Sequence, residues 1–178
     1  MDTEELKKHI VAVEGFPLPG VVFRDITPLL ADGGAFLAAA KMLANKAQHW
    51  AQPFDIVAAV ESRGFLFGAA VAALLGTGVA VIRKPGKLPR PTVSARYQLE
   101  YGESEVHLHK DAFAAFSGAA RVLLVDDVLA TGGTLAAASK AIAEAGGQVC
   151  GILCLVELPK LGGRAKLPQA PFYAPLQY

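Results

Sequence analysis

Hydrophobic positions recur along this chain at two spacings, and their alternation predicts the fold. Short, nearly continuous apolar runs occupy 55–60, 78–82, 121–125 and 149–156. Between them, 35–50, 65–75 and 133–145 carry the spacing and the Ala/Leu-rich composition of helices, the last closed by Gly146-Gly147. Strands that are apolar on both sides, separated by helices, predict an α/β fold with a parallel sheet flanked by helices on both faces. Ahead of this core, 3–13 reads as an amphipathic helix with Leu6, Ile10 and Val13 on one face and Thr3 as its cap. Phe16-Pro17-Leu18-Pro19-Gly20 interrupts it, and 21–28 reads as a short extended segment that ends at Pro28. Residues 84–91 are rich in Pro, Gly and Lys; beyond them, 92–102 and 105–109 have strand character around residues 101–104. That predicts a β-hairpin laid over the sheet, and an excursion spanning about 84–110 between two core strands is a candidate lid. The stretch 160–178 reads as loop.

Composition narrows the class. With 178 residues, 53% of them hydrophobic and 19% charged, the chain is long enough for one domain, 1–178, with a real core. A net charge of +1 removes bulk attraction to nucleic acid or to an anionic membrane. The opening Met1-Asp2-Thr3-Glu4-Glu5 is acidic, and no apolar run is long enough to span a bilayer, so a cytoplasmic protein without a membrane partner is expected. Cys150 and Cys154, at even spacing in an apolar strand, read as small buried fillers rather than a metal or redox pair. His107 and His109 alternate on a strand with no third ligand nearby, and read as an exposed hairpin face.

Ligands of open α/β sheets bind beyond the carboxyl ends of the strands, and three predicted strand ends carry suitable chemistry. The run 121–125 leads into Asp126-Asp127, then Val128-Leu129-Ala130-Thr131-Gly132-Gly133-Thr134. Ionised carboxylates only accept, so they suit a sugar diol; a Thr/Gly turn opening a helix suits a phosphate held by backbone N–H groups. Side by side they describe a pocket for a ribose 5-phosphate. Glu61-Ser62-Arg63-Gly64 follows the second strand end, and Arg83-Lys84 the third. Taken singly, each has an ordinary explanation: strand-end charges are commonly just solvated, Gly-Gly commonly starts a helix, and Asp126 could be a helix N-cap. Two successive acids make a cap an incomplete account.

At 126–134 the chain resembles the phosphoribosyl-diphosphate (PRPP) signature of type I phosphoribosyltransferases. Gly20-Val21-Val22-Phe23-Arg24-Asp25-Ile26-Thr27, Glu61 to Gly68, Arg83 to Pro89 and Leu99-Glu100-Tyr101-Gly102 resemble, in order, the branch of that family that uses adenine. The resemblance runs from the Phe16-Pro17 segment to about Leu158. It implies the type I phosphoribosyltransferase fold with a β-hairpin lid over the active site, a homodimer, and the reaction of adenine with PRPP to AMP and pyrophosphate with Mg²⁺. Asp126 and Asp127 would hold the ribose hydroxyls; Ala130, Thr131, Gly132, Gly133 and Thr134 would cradle the 5-phosphate. Glu61, Ser62 and Arg63 resemble the pyrophosphate loop, which in the family often carries a non-proline cis peptide. The backbone rather than the carboxylate of Glu61 would meet phosphate, and Arg63 would serve either pyrophosphate or base. Arg83, Lys84 and Lys87 resemble pyrophosphate ligands, Arg83 and Lys87 lent across a dimer interface; by themselves they would read as an ordinary solvated loop. Val22, Phe23 and Arg24 resemble the adenine pocket, with Phe23 stacked on the purine, although Phe23 equally suits a core strand. Val128, where relatives often have Leu, would pack beside the base. Glu100 would exchange a proton with the ring or stabilise its charge, and Tyr101 would help to exclude water. No metal ligand from the protein is implied, since Mg²⁺ prefers phosphate oxygens and retained waters.

Two other readings compete. One is a transferase for hypoxanthine, guanine or orotate, but the lysine that oxopurine enzymes commonly carry late in the fold is missing from Cys154-Leu155-Val156-Glu157. The other is a PRPP-sensing regulator, which would add a nucleic-acid-binding surface; neither the net charge nor any helix-turn-helix pattern suggests one.

Overall fold

The computed structural model describes residues 1–99 and 102–178. In chain order its elements are α1 (Thr3–Lys7), β1 (Val11–Glu14), β2 (Val22–Asp25), α2 (Thr27–Ala31), α3 (Gly33–Gln48), β3 (Ile56–Val60), α4 (Gly64–Leu75) and β4 (Gly78–Ile82). Then follow β5 (Thr92–Leu99), β6 (Gly102–His109), β7 (Ala120–Leu129), α5 (Gly133–Glu144), β8 (Gly147–Glu157), β9 (Phe172–Tyr173) and β10 (Leu176–Gln177). The main sheet has the order β10-β8-β7-β3-β4, all parallel, with β9 also on β8.

The apolar strands are explained by burial on both sides. Val57, Leu123, Val125 and Leu153 point into one layer with Leu43 of α3 and Phe67 and Val71 of α4. Their neighbours Ala58, Val60, Val122, Leu124 and Ile152 point into the other, with Leu135 and Ile142 of α5 and Val106 and Leu108 of the hairpin. Where both faces are dry, a strand with period-two side chains leaves no position for an unpaired polar residue.

Several local expectations fail. Helix α1 stops at Lys7 and is capped by Asp2, not Thr3: Glu5 N–H donates to Asp2 Oδ1 at 2.9 Å, and Asp2 N–H donates back to Glu5 at 2.9 Å. Val11–Glu14 is a strand because it pairs antiparallel with Val22–Asp25, and that pairing overrides the helical spacing of Ile10 and Val13. Pro28 opens α2 rather than ending an extended segment, as its missing N–H allows in a first turn. The 160–178 stretch is not all loop, since β9 and β10 join the sheet. β6 already begins at Gly102, paired with Leu99, so the second hairpin strand starts earlier than expected. His107 and His109 are half-buried, not exposed; His107 Nδ1 lies 3.1 Å from Thr92 Oγ1 and its Nε2 3.5 Å from Glu105. The β7–β8 register shifts past Cys150, so the two thiols differ in setting: Cys154 is buried and Cys150 only half-buried.

At the amino ends of β3 and β7, Asp55 accepts from the Arg121 guanidinium at 2.5 and 3.0 Å and from its backbone N–H at 2.7 Å. These bonds hold the Asp55 pKa at about 2. A carboxyl depressed by folding contributes stability above its unfolded value near 3.8, and that stability is lost as pH falls through about 2. Urea unfolding at pH 5 and pH 2 should therefore show a smaller acid loss in Asp55→Asn than in the native chain. Equal losses would mean the pair contributes nothing.

Candidate active site

Asp126 and Asp127 lie within β7, not just beyond it. Because β8 continues to Glu157, the ladder runs on past them, pairing Asp126 with Cys154 and Leu129 with Glu157. Both acids are enclosed, at 6% and 8% exposure. The Asp127 N–H donates to Asp126 Oδ1 at 2.8 Å, and Arg63 Nε donates to Asp127 Oδ2 at 2.5 Å. Burial, and then the neighbouring Asp127 charge, push the Asp126 carboxyl well above the usual range. The pair thus presents two acids in unequal settings, Asp127 being the one that faces a cation. Neither caps a helix: the N-cap of α5 is Gly132.

After β7 the chain turns through Ala130 and Thr131 to Gly132, whose φ of 78° is a left-handed conformation that glycine adopts without a Cβ penalty. The backbone then enters α5, with Ala136 N–H donating to Gly132 O at 3.0 Å. Gly133 and Thr134 form the first turn of this 12-residue helix, so unpaired N–H groups and the positive helix end converge on the loop 130–134. The hairpin closes over it: a Cβ on Gly133 would lie 3.0 Å from the Tyr97 ring and 3.4 Å from Gln98 O.

The turn 61–63 follows β3 and leads into Gly64, where a Cβ would lie 2.8 Å from Asp126 Oδ1; its Glu61-Ser62 peptide is cis. The Glu61 carboxylate accepts from Lys84 N–H at 3.0 Å and from Arg83 at 3.2 and 3.4 Å. These donors, Lys84 first, hold its pKa below the ordinary value. Arg83 also donates to Lys87 O at 3.2 Å, while Lys84 and Lys87 are exposed. The structure therefore brings Glu61, Arg83, Lys84 and Lys87 together. The contact of Glu61 with the Arg83 guanidinium and the Lys84 backbone was not foreseen, because it joins positions 22 and 23 residues apart.

An apolar cavity of about 200 Å³ opens beside Asp127. Val22, Phe23, Arg24 and Val128 line it, as does Arg63, whose guanidinium lies 5.2 Å over the Phe23 ring. Phe16 packs edge-on against Phe23 at 5.2 Å, and Arg24 stacks on Tyr178 at 4.3 Å. Val156, Leu158 and Leu161 also line the wall and were not anticipated; their signal was their place just at and after the carboxyl end of a core strand. Glu100 and Tyr101 lie outside the described residues. Among the described residues, no cluster of three or more His, Cys, Asp or Glu side chains could hold a metal, and no helix is long and apolar enough to cross a membrane.

With this geometry in view, the comparisons are specific. The phosphoribosyl transferase domain family matches residues 26–173. Adenine phosphoribosyltransferase from Dipodillus campestris is 47% identical, over 96% of this chain and 94% of its own. The crystal structure of adenine phosphoribosyltransferase from Thermoanaerobacter pseudethanolicus superposes with a TM-score of 0.91 at 45% identity, covering 99% of both chains. That of the Saccharomyces cerevisiae enzyme, solved with adenine and an imino-altritol bisphosphate, gives 0.86 at 34% identity over 97% of both.

Proposed function

The chain belongs to the phosphoribosyltransferase family, and we propose that its site converts adenine and PRPP to AMP and pyrophosphate in purine salvage. The observation that carries this is one juxtaposition: a buried acid pair, a helix-opening Thr/Gly loop and an apolar cavity with Phe23 and Asp127 on its walls.

In this reading the loop 130–134 takes the 5-phosphate and Asp126-Asp127 the ribose hydroxyls, which leaves the anomeric carbon facing the cavity. Glu61, Ser62, Arg63, Arg83, Lys84 and Lys87 serve the pyrophosphate. The anomeric C–O bond loosens first, and its electron pair leaves with pyrophosphate. Positive charge then grows on the sugar ring beside Asp127, an acid already held in place by Arg63. Adenine N9 attacks that carbon while Phe23 holds the purine face and Val128 packs at its side. Charge stabilisation and positioning account for the rate without a side-chain nucleophile. The donor set suits Mg²⁺ carried by PRPP oxygens and water rather than by a protein cage, and the metal supplies charge neutralisation for the leaving group.

The chain acts as one domain, with the hairpin within 84–110 as its lid. Tyr97 and Gln98, already over Gly133, support this, because water competes with adenine for the sugar cation. Glu100 handles the purine proton and Tyr101 helps to seal the site. Glu100→Gln should lower kcat by a larger factor than it raises KM for PRPP; equal changes would remove the proton role. A homodimer fits the exposed apolar residues Leu66, Leu74, Val79 and Val81 of α4 and edge strand β4, and sedimentation at a single chain mass would refute it. We place the enzyme in the cytoplasm, where Cys150 and Cys154 stay reduced; export of the native protein in cell fractions would refute that.

Phe23→Ala should raise KM for adenine by about tenfold, since base–aromatic stacking contributes about 1–3 kcal/mol. An unchanged value would return Phe23 to a packing role. The reaction is tested by following product formation with adenine, hypoxanthine, guanine and orotate. Turnover only with a base other than adenine would overturn the assignment.

A further inference from the structure

We propose that Glu157 and Arg164, neither of which touches substrate, are positioning residues for the 5-phosphate loop and act on it through the backbone of Gly163; this rests on reading 130–134 as the phosphate site. Glu157 ends β8 with only 3% exposure. A carboxylate so enclosed must be paired. Arg164 pairs it in a two-pronged bond, Nε to Oε1 at 2.5 Å and Nη2 to Oε2 at 2.6 Å, and Gln177 Nε2 adds a third donor at 3.0 Å. Phe172 lies under the guanidinium at 4.5 Å and fixes its plane.

Arg164 belongs to the short 3₁₀ turn Gly163–Lys166, and that turn is pressed on the loop. A Cβ on Gly163 would lie 2.2 Å from Ala130 O and 2.9 Å from Gly132 N, while a Cβ on Gly132 would lie 2.3 Å from Gly163 O. Two glycine backbones are therefore closely apposed at the loop assigned to phosphate. Leu158 N–H donates to Leu129 O at 2.9 Å and joins the two strand ends just before they diverge. The salt bridge thus anchors the turn, and the turn backs the loop. Helix α5 holds Gly133 and Thr134, and Ala136 N–H holds Gly132 O, so the turn bears mainly on the stretch from Ala130 to Gly132.

Arg164→Met keeps the stem and removes the charge; Arg164→Lys keeps the charge and loses the two-pronged geometry. The Arg164 side chain is 54% exposed, so the lysine variant is the milder test of folding. For Arg164→Met we expect KM for PRPP to rise on the order of tenfold, a fraction of what a full ångström of misplacement costs. The rise should be smaller for Arg164→Lys, with kcat and KM for adenine within about twofold of native in both. Gly132→Ala, which disturbs the loop directly, separates the two claims. If it raises KM for PRPP while neither Arg164 variant does, the anchoring idea fails and the phosphate site stands. If none of the three raises it, both fail. An equal rise of both Michaelis constants in the Arg164 variants would make the pair merely structural and would also overturn the proposal.

Discussion

Asp127→Asn should lower kcat/KM for PRPP by about 10²–10³, or roughly 2.7–4 kcal/mol, the range found when one preorganised group is removed from developing charge. The substitution keeps the shape of the side chain and still offers an oxygen to a ribose hydroxyl. What it removes is the negative charge that Arg63 holds in place at 2.5 Å, beside the cavity into which the sugar cation faces. Since that charge matters more as the C–O bond opens than when PRPP first binds, the loss should fall on kcat as well as on KM. Folding should survive: Arg63 remains about one-third exposed, so water can solvate it once its partner is neutral, and the melting temperature should move by only a few degrees. Steady-state kinetics beside a thermal melt checks this. Native rates in the variant would mean the two acids serve only the strand.

Gly132→Ala should be nearly as damaging, by a different route. Its φ of 78° alone would cost an L-residue on the order of 1–2 kcal/mol. Here a methyl group would also meet the Gly163 carbonyl at 2.3 Å, and that neighbour is backbone, not the end of a flexible side chain. One segment must move by about an ångström, and misplacement of that size costs about 100-fold when the groups position substrate. KM for PRPP should rise by about that factor. Gly146→Ala is the control: φ is 89° and nothing lies within 4 Å of the added carbon. It should cost stability of about 1 kcal/mol and leave both Michaelis constants unchanged. Equal kinetic effects at the two positions would show that the 130–134 loop has no special demand on its geometry.

The parts of the fold legible in the chain are those governed by local rules. β4 falls on 78–82 as expected, and β3 and α4 start within a residue of their expected positions, because a strand buried on both faces and a helix against it leave an unmistakable apolar pattern. Strand β1 was invisible because its partner lies across the Phe16-Pro17 break, and the spacing of Ile10 and Val13 suits either structure. β9 and β10 were missed because two residues are too few to carry a period. The site divides in the same way. The acids and the Thr/Gly loop are contiguous, and their chemistry can be read in order. The grip of Glu61 on Arg83 and Lys84, and the approach of Gly163 to Gly132, depend on the order of strands in the sheet, which no single stretch of residues encodes.

The position of Glu61 has a consequence for turnover. With Arg83 and Lys84 in their proposed role, part of the site's donor set is already engaged: the Glu61 carboxylate holds the Arg83 guanidinium and the Lys84 backbone N–H. In that role an incoming diphosphate would compete with this resident rival for those donors, and the carboxylate would take them back as the diphosphate leaves. Stray inorganic phosphate would thereby be discouraged from lodging there, and the product would face a lower barrier to escape than a bare guanidinium would impose.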